Sequence, residues 1–94
     1  MIKKTGEIIR GLEKKGFIRH NRDHIYLHYY STDGYKTSIF TKVSHGRKDY
    51  GRKLLSLMAK QLKLDNEQFL KLIECPISQR EYENILISNG RIEK

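Results

Sequence analysis

His24-Ile25-Tyr26-Leu27-His28-Tyr29-Tyr30, then Ser31-Thr32-Asp33-Gly34, then Tyr35-Lys36-Thr37-Ser38-Ile39-Phe40-Thr41-Lys42-Val43 is the stretch whose reading decides the fold. In its first part Ile25, Leu27 and Tyr29 alternate with His24, Tyr26, His28 and Tyr30. That is the period of a β-strand, in which successive side chains point to opposite faces. Thr32-Asp33-Gly34 is a hairpin signal, and 35–43, rich in β-branched and aromatic residues, reads as the return strand. Upstream, Phe17 and Ile18 begin a shorter strand that Asn21-Arg22-Asp23 breaks as a turn. Downstream, Ser44-His45-Gly46 ends the hairpin.

The pattern changes to helical on both sides. Residues 5–15 place Ile8, Ile9 and Leu12 on one stripe, with Thr5 as the expected cap and Gly16 as the left-handed stop. A longer helix is expected from about Asp49 or Tyr50 to Lys63, with Leu54, Leu55, Leu57, Met58 and Leu62 on a broad apolar face. Asp65-Asn66-Glu67-Gln68 and Ser78-Gln79-Arg80-Glu81 have the form of capping boxes. They open two more short helices, the first stopped by Pro76 and the second closed by Asn89-Gly90. Cys75 reads as a buried helix-end residue. The expected class is α+β, in the order α-β-β-β-α with a three-stranded antiparallel sheet and two short C-terminal helices. This is the element order of the double-stranded-RNA-binding domain, with helices on one face of a twisted sheet. One domain is expected, with its core in residues 1–64 and a helical extension in 65–94.

Charge points to the partner class. The net charge is +8, and it is concentrated in the first two thirds of the chain. Residues 1–63 hold 15 Lys/Arg against 5 Asp/Glu, whereas 64–94 hold 4 against 6. A basic front and a slightly acidic back suit a polyanion, although a merely solubilising surface has the same composition. A single cysteine rules out an intrachain disulfide and fits a reducing compartment. No stretch has the length of a membrane span, and the amino terminus lacks a signal-peptide run. The expected location is the cytoplasm.

Three groups of residues can carry chemistry. His24, after a turn bearing Arg19 and Arg22, is an accessible imidazole able to serve as general base or acid. A merely exposed histidine is the plainer reading. His45-Gly46-Arg47-Lys48, expected just before the long helix, combines cations with free backbone N–H groups that can hold an anion; an ordinary solvated loop is the alternative. Finally, Tyr26 and the rest of the even-numbered strand face, with Lys36, Phe40 and Lys42 across the hairpin, can stack bases and pair phosphates. Against this, the apolar helix faces within 69–86 need somewhere to dock. The plainer expectation is therefore that the tail helices or a partner chain cover those aromatics. His20, His24 and His28 are spaced by four, but on a turn and strands rather than a helix, so no metal site is expected.

Glu7-Ile8-Ile9-Arg10-Gly11-Leu12-Glu13-Lys14-Lys15-Gly16-Phe17, the turn into His24-Ile25-Tyr26, the Asp33-Gly34 hairpin and Val43-Ser44-His45 together resemble the HicA family. So do the helix Leu54–Leu64 and Asn66-Glu67-Gln68-Phe69 after it. The resemblance spans about residues 3–72. It implies a small toxin of a toxin–antitoxin pair with a double-stranded-RNA-binding-like fold, cleaving mRNA without metal or cofactor and neutralised by a HicB-like antitoxin. It implies that His24 is the catalytic histidine, with His45 a candidate second acid–base group. Arg22, Arg47 and Lys48 would then bind phosphate. Arg22-Asp23 stand where the family places Gly-Ser, His24 lies one residue nearer the Ile-Tyr pair, and Ser44 replaces a common proline. A non-catalytic RNA-binding module, or a protein-interaction domain that kept the fold, is the alternative these departures leave open.

Overall fold

Ile8, Ile9 and Leu12 are buried together on one face of helix α1 (Thr5–Glu13) in a computed structural model that describes residues 2–74 and 76–92. Gly16, at φ +94°, makes the left-handed stop expected of it. The chain then enters strands β2 (Phe17–Asn21), β3 (Ile25–Tyr30) and β4 (Lys36–Val43). These form an antiparallel sheet in the order β2-β3-β4. Phe17 pairs with Tyr29 and Asn21 with Ile25, while Tyr26 pairs with Lys42 and His28 with Phe40. The first of these strands is longer than the two residues that open it suggest. The hairpin closes through Ser31 N–H to Tyr35 O, with Gly34 at φ +87°.

Helices α2 (Arg52–Gln61), α3 (Asn66–Ile73) and α4 (Gln79–Ser88) complete the described elements with two short strands, β1 (Lys3–Lys4) and β5 (Asp49–Tyr50). The protein is α+β, with a three-stranded antiparallel sheet and four helices among the described residues. Both later capping boxes form: Gln68 N–H donates to Asp65 Oδ1 at 2.7 Å and Glu81 N–H to Ser78 Oγ at 3.1 Å. Cys75 lies outside the described residues. Among them, no helix is long and apolar enough to cross a membrane.

Two expectations about helix starts need correction. Thr5 does not cap α1; Lys4 stands at that position, and its N–H donates to Glu7 Oε1 at 3.1 Å. Thr5 instead reaches across the fold, its N–H to Lys48 O at 2.9 Å and its hydroxyl to Arg47 O. Likewise Asp49 and Tyr50 do not begin α2. They pair as β5 with Lys4 and Lys3, and the helix starts only at Arg52 after an extended Gly51. A helix cannot also satisfy those ladder bonds, so the tertiary pairing overrides the local pattern.

The core lies on the odd-numbered face of the sheet. Leu27, Tyr29, Ile39 and Val43 meet Ile8 and Leu12 from α1, Met58 and Leu62 at the end of α2, Phe69 and Leu72 from α3, and Tyr82 and Leu86 from α4. Tyr82 packs edge-on to Tyr29 at 5.0 Å and is stacked with Phe17 at 5.7 Å. Helices α1 and α3 approach so closely at Gly11 that a Cβ there would lie 2.6 Å from Ile73 O. Buried Lys15 donates through Nζ to Leu72 O at 2.7 Å, a carbonyl in the last turn of α3, and to Ile77 O in the segment before α4.

Candidate functional site

The turn before β3 is closed by Arg22 N–H donating to His24 O at 2.9 Å. It leaves the His24 side chain 36% exposed, with Nδ1 3.3 Å from Asp23 Oδ2. Donation through Nδ1–H keeps the ring in the tautomer whose Nε2 accepts a proton. Tyr26 contributes to the same arrangement, its hydroxyl donating to Asp23 Oδ1 at 3.2 Å and its ring edge-on to His24 at 6.3 Å. The hydrogen bond from His24 holds the Asp23 carboxyl below its usual range. Asp23 therefore stays ionised beside the imidazole, in the role of orienting group.

The loop after β4 folds against this turn. His45 Nε2 lies 2.9 Å from Arg22 O, Ser44 N–H donates to Tyr50 Oη at 2.7 Å, and Arg47 Nε donates to Asp49 O at 2.9 Å. The Arg47 guanidinium lies 5.0 Å from the Tyr50 ring centre, within cation–π range. The two bonds from Thr5 hold the same loop from the other side. Together these contacts form a cleft of about 180 Å³ between the end of β4 and α2. His24, Lys42, Ser44 and Arg47 line it, opposite Leu54, Leu57 and Gln61. No carboxylate lines it among the described residues.

The even-numbered face of the sheet is open, which corrects the expectation that the tail helices cover it. Those helices dock on the opposite face because Phe17 and Tyr29, the aromatics they need, point that way. Phe40 and Ile18 remain 40% and 46% exposed. His28 stacks on Phe40 at 5.0 Å, and Tyr26 lies 6.0 Å from Phe40 and 6.3 Å from His28. Lys42, opposite Tyr26, and Lys36, opposite Tyr30, flank this row. His20 lies edge-on to His28 at 5.4 Å. His20 Nε2 and His28 Nδ1 have no hydrogen-bond partner among the described residues.

Burial, followed by the positive charges of Lys36, His20 and Arg22, pushes His28 below the ordinary imidazole range. The unfolded chain, with a value near ~6.5, then binds the proton more readily than the folded one. Stability should be complete above that value and decline as pH falls through it toward the lower folded pKa. Thermal melts of wild type and His28→Phe at about pH 5 and about pH 7.5 check this, since those values bracket the window. The variant should lose less stability on acidification; an unchanged loss would refute the assignment.

The other sequence-selected residues are distributed unevenly. Arg19 pairs with Glu13 at 3.8 Å and lies opposite Leu27, whose side chain is in the core, so it stands apart from the cleft. Lys36 marks the far end of the sheet face. His45 braces the Arg22 turn rather than lining the cleft. Lys48 is exposed in the loop, and β5 and Gly51 separate that loop from α2, so it does not lead directly into the helix start as expected. Among the described residues, no group of three or more His, Cys, Asp or Glu is placed to hold a metal ion. Sequence reasoning missed Asp23, Tyr50 and Gln61. Adjacency to His24 signals the first, while nothing local signals the other two. Compared with protein-family models, curated proteins and solved structures, the chain matches none.

Proposed function

We propose that this chain is an RNA-binding toxin of a toxin–antitoxin pair, resembling HicA, that cleaves mRNA in the cytoplasm with His24 as general base. The carrying observation is the juxtaposition of an Asp23-oriented imidazole with Lys42 and Arg47 around one carboxylate-free cleft. The order α1-β2-β3-β4-α2, with helices on one sheet face, supports a double-stranded-RNA-binding-like topology. In the proposed reaction His24 Nε2 takes the proton from a ribose 2′-hydroxyl. The resulting oxyanion attacks the adjacent phosphorus, and the P–O5′ bond breaks as the leaving oxygen takes a proton from water. The products are a 2′,3′-cyclic phosphate and a 5′-hydroxyl end. Lys42 and Arg47 stabilise the charge that develops on the phosphoryl oxygens. A HicB-like antitoxin would act by covering this cleft.

The test is incubation of the purified protein with an end-labelled mRNA transcript in the presence of a chelator. Fragments with cyclic-phosphate ends are expected, and a 2′-deoxy copy should be bound but not cut. Affinity should fall steeply between low and physiological salt, because the bound phosphates release condensed counterions. Equal cutting of the deoxy copy, or salt-independent binding, would defeat the reading. The open row of Tyr26, His28 and Phe40 favours one alternative, an RNA-binding module without chemistry. Salt-dependent binding with no fragments would establish it.

A further inference from the structure

We infer that the cleft beside His24 is a base pocket that selects guanine and uracil over adenine and cytosine at the cut site. The inference deepens the ribonuclease reading and rests on it. Leu54, Leu57 and Met58 line the α2 wall of the cleft, and their i, i+3, i+4 spacing places them on one helix face. Leu57, although apolar, is 51% exposed there and can seat the flat face of a base. One turn further on, Gln61 closes the same wall. The buried Thr41 hydroxyl donates to Gln61 Oε1 at 2.6 Å. Its Nε2 has no hydrogen-bond partner among the described residues, and that end can only donate.

Lys42 and Arg47 are likewise donors without acceptor capacity. Lys42, Arg47 and Gln61 Nε2 therefore give the cleft three hydrogen donors, beside Ser44, Tyr50 and His24, which can also accept. Guanine and uracil present carbonyl oxygens where adenine and cytosine present amino groups. A keto base pairs with this rim, whereas an amino base aims hydrogens at hydrogens beside an apolar wall that excludes water. The volume of about 180 Å³ is below the ~300 Å³ lower end of sites for drug-sized ligands. It suits one heterocycle.

The test measures binding of short single-stranded RNA oligonucleotides that differ at one base and carry a 2′-deoxyribose there to prevent cutting. Wild type should bind the uracil and guanine versions roughly tenfold more tightly than the adenine and cytosine versions. Cuts mapped on an all-ribose transcript should follow uracil and guanine. Gln61→Glu keeps the acceptor for Thr41 but replaces the donor by a carboxylate oxygen. With folding checked by circular dichroism, its preference should collapse or turn toward cytosine and adenine. Cutting by wild type without base preference overturns this inference alone, as does an unchanged preference in folded Gln61→Glu. Failure to bind any of the oligonucleotides overturns the ribonuclease reading together with it.

Discussion

His24→Ala is expected to slow RNA cleavage by roughly a hundred- to ten-thousand-fold, the range for loss of a positioned general acid–base group, while RNA affinity stays close to wild type. The asymmetry follows from the position of the ring. Its contacts are the exposed Asp23 carboxylate at 3.3 Å and the edge of Tyr26 at 6.3 Å, so its removal opens no core cavity. The cleft cations Lys42 and Arg47 are held by β4 and by the loop that Thr5 and Tyr50 brace, none of which depends on the imidazole. Single-turnover cleavage and a parallel binding titration separate the two effects. Asp23→Asn should fall between wild type and His24→Ala, because the ring keeps Nε2 but loses its charged orienting partner. Cleavage by His24→Ala at the wild-type rate would remove this histidine from the mechanism.

Glu83→Ala should destabilise the fold by on the order of 2–4 kcal/mol, a large share of the ~5–15 kcal/mol typical of a domain. Glu83 is 2% exposed on α4. It accepts from Tyr29 Oη at 2.7 Å and from Thr32 N–H and Oγ1, both at 2.8 Å. These bonds join the last helix to the central strand and the hairpin. Burial, with the hydrogen bond to Glu83, raises the Tyr29 hydroxyl well above the ordinary phenol range. Alanine would leave that buried donor without its acceptor and add a cavity, whereas the exposed Thr32 can turn to water. A drop in melting temperature on the order of 10–25 °C is expected for a domain of this size. Glu83→Gln, which keeps one acceptor oxygen, should lose less. A shift of only a few degrees for Glu83→Ala would show that the network contributes little.

Interactions that close within a few residues were legible in the sequence. The alternation from His24 to Val43 identified the hairpin and its two faces, because side-chain direction in a strand depends on parity alone. The boxes at Asp65–Gln68 and Ser78–Glu81, and the stop at Gly16, were equally readable, because caps and left-handed turns are satisfied locally. The position of His24 beside a basic turn followed from the same reasoning. What the sequence could not determine was which distant groups would satisfy one another. Lys3 and Lys4 pair with Tyr50 and Asp49, removing from α2 residues that local pattern would have placed at its start. Which sheet face the tail helices bury turned on where Tyr82 finds Phe17 and Tyr29, a choice to which both aromatic faces were open by composition. The cleft has the same origin: in the chain Lys42 and Arg47 belong to separate candidate groups, and nothing local marks Gln61. They become walls of one cavity only because Thr5 anchors the loop and Thr41 anchors the end of α2. Such contacts depend on ordering segments tens of residues apart, a gain set by tertiary packing and invisible to local propensity.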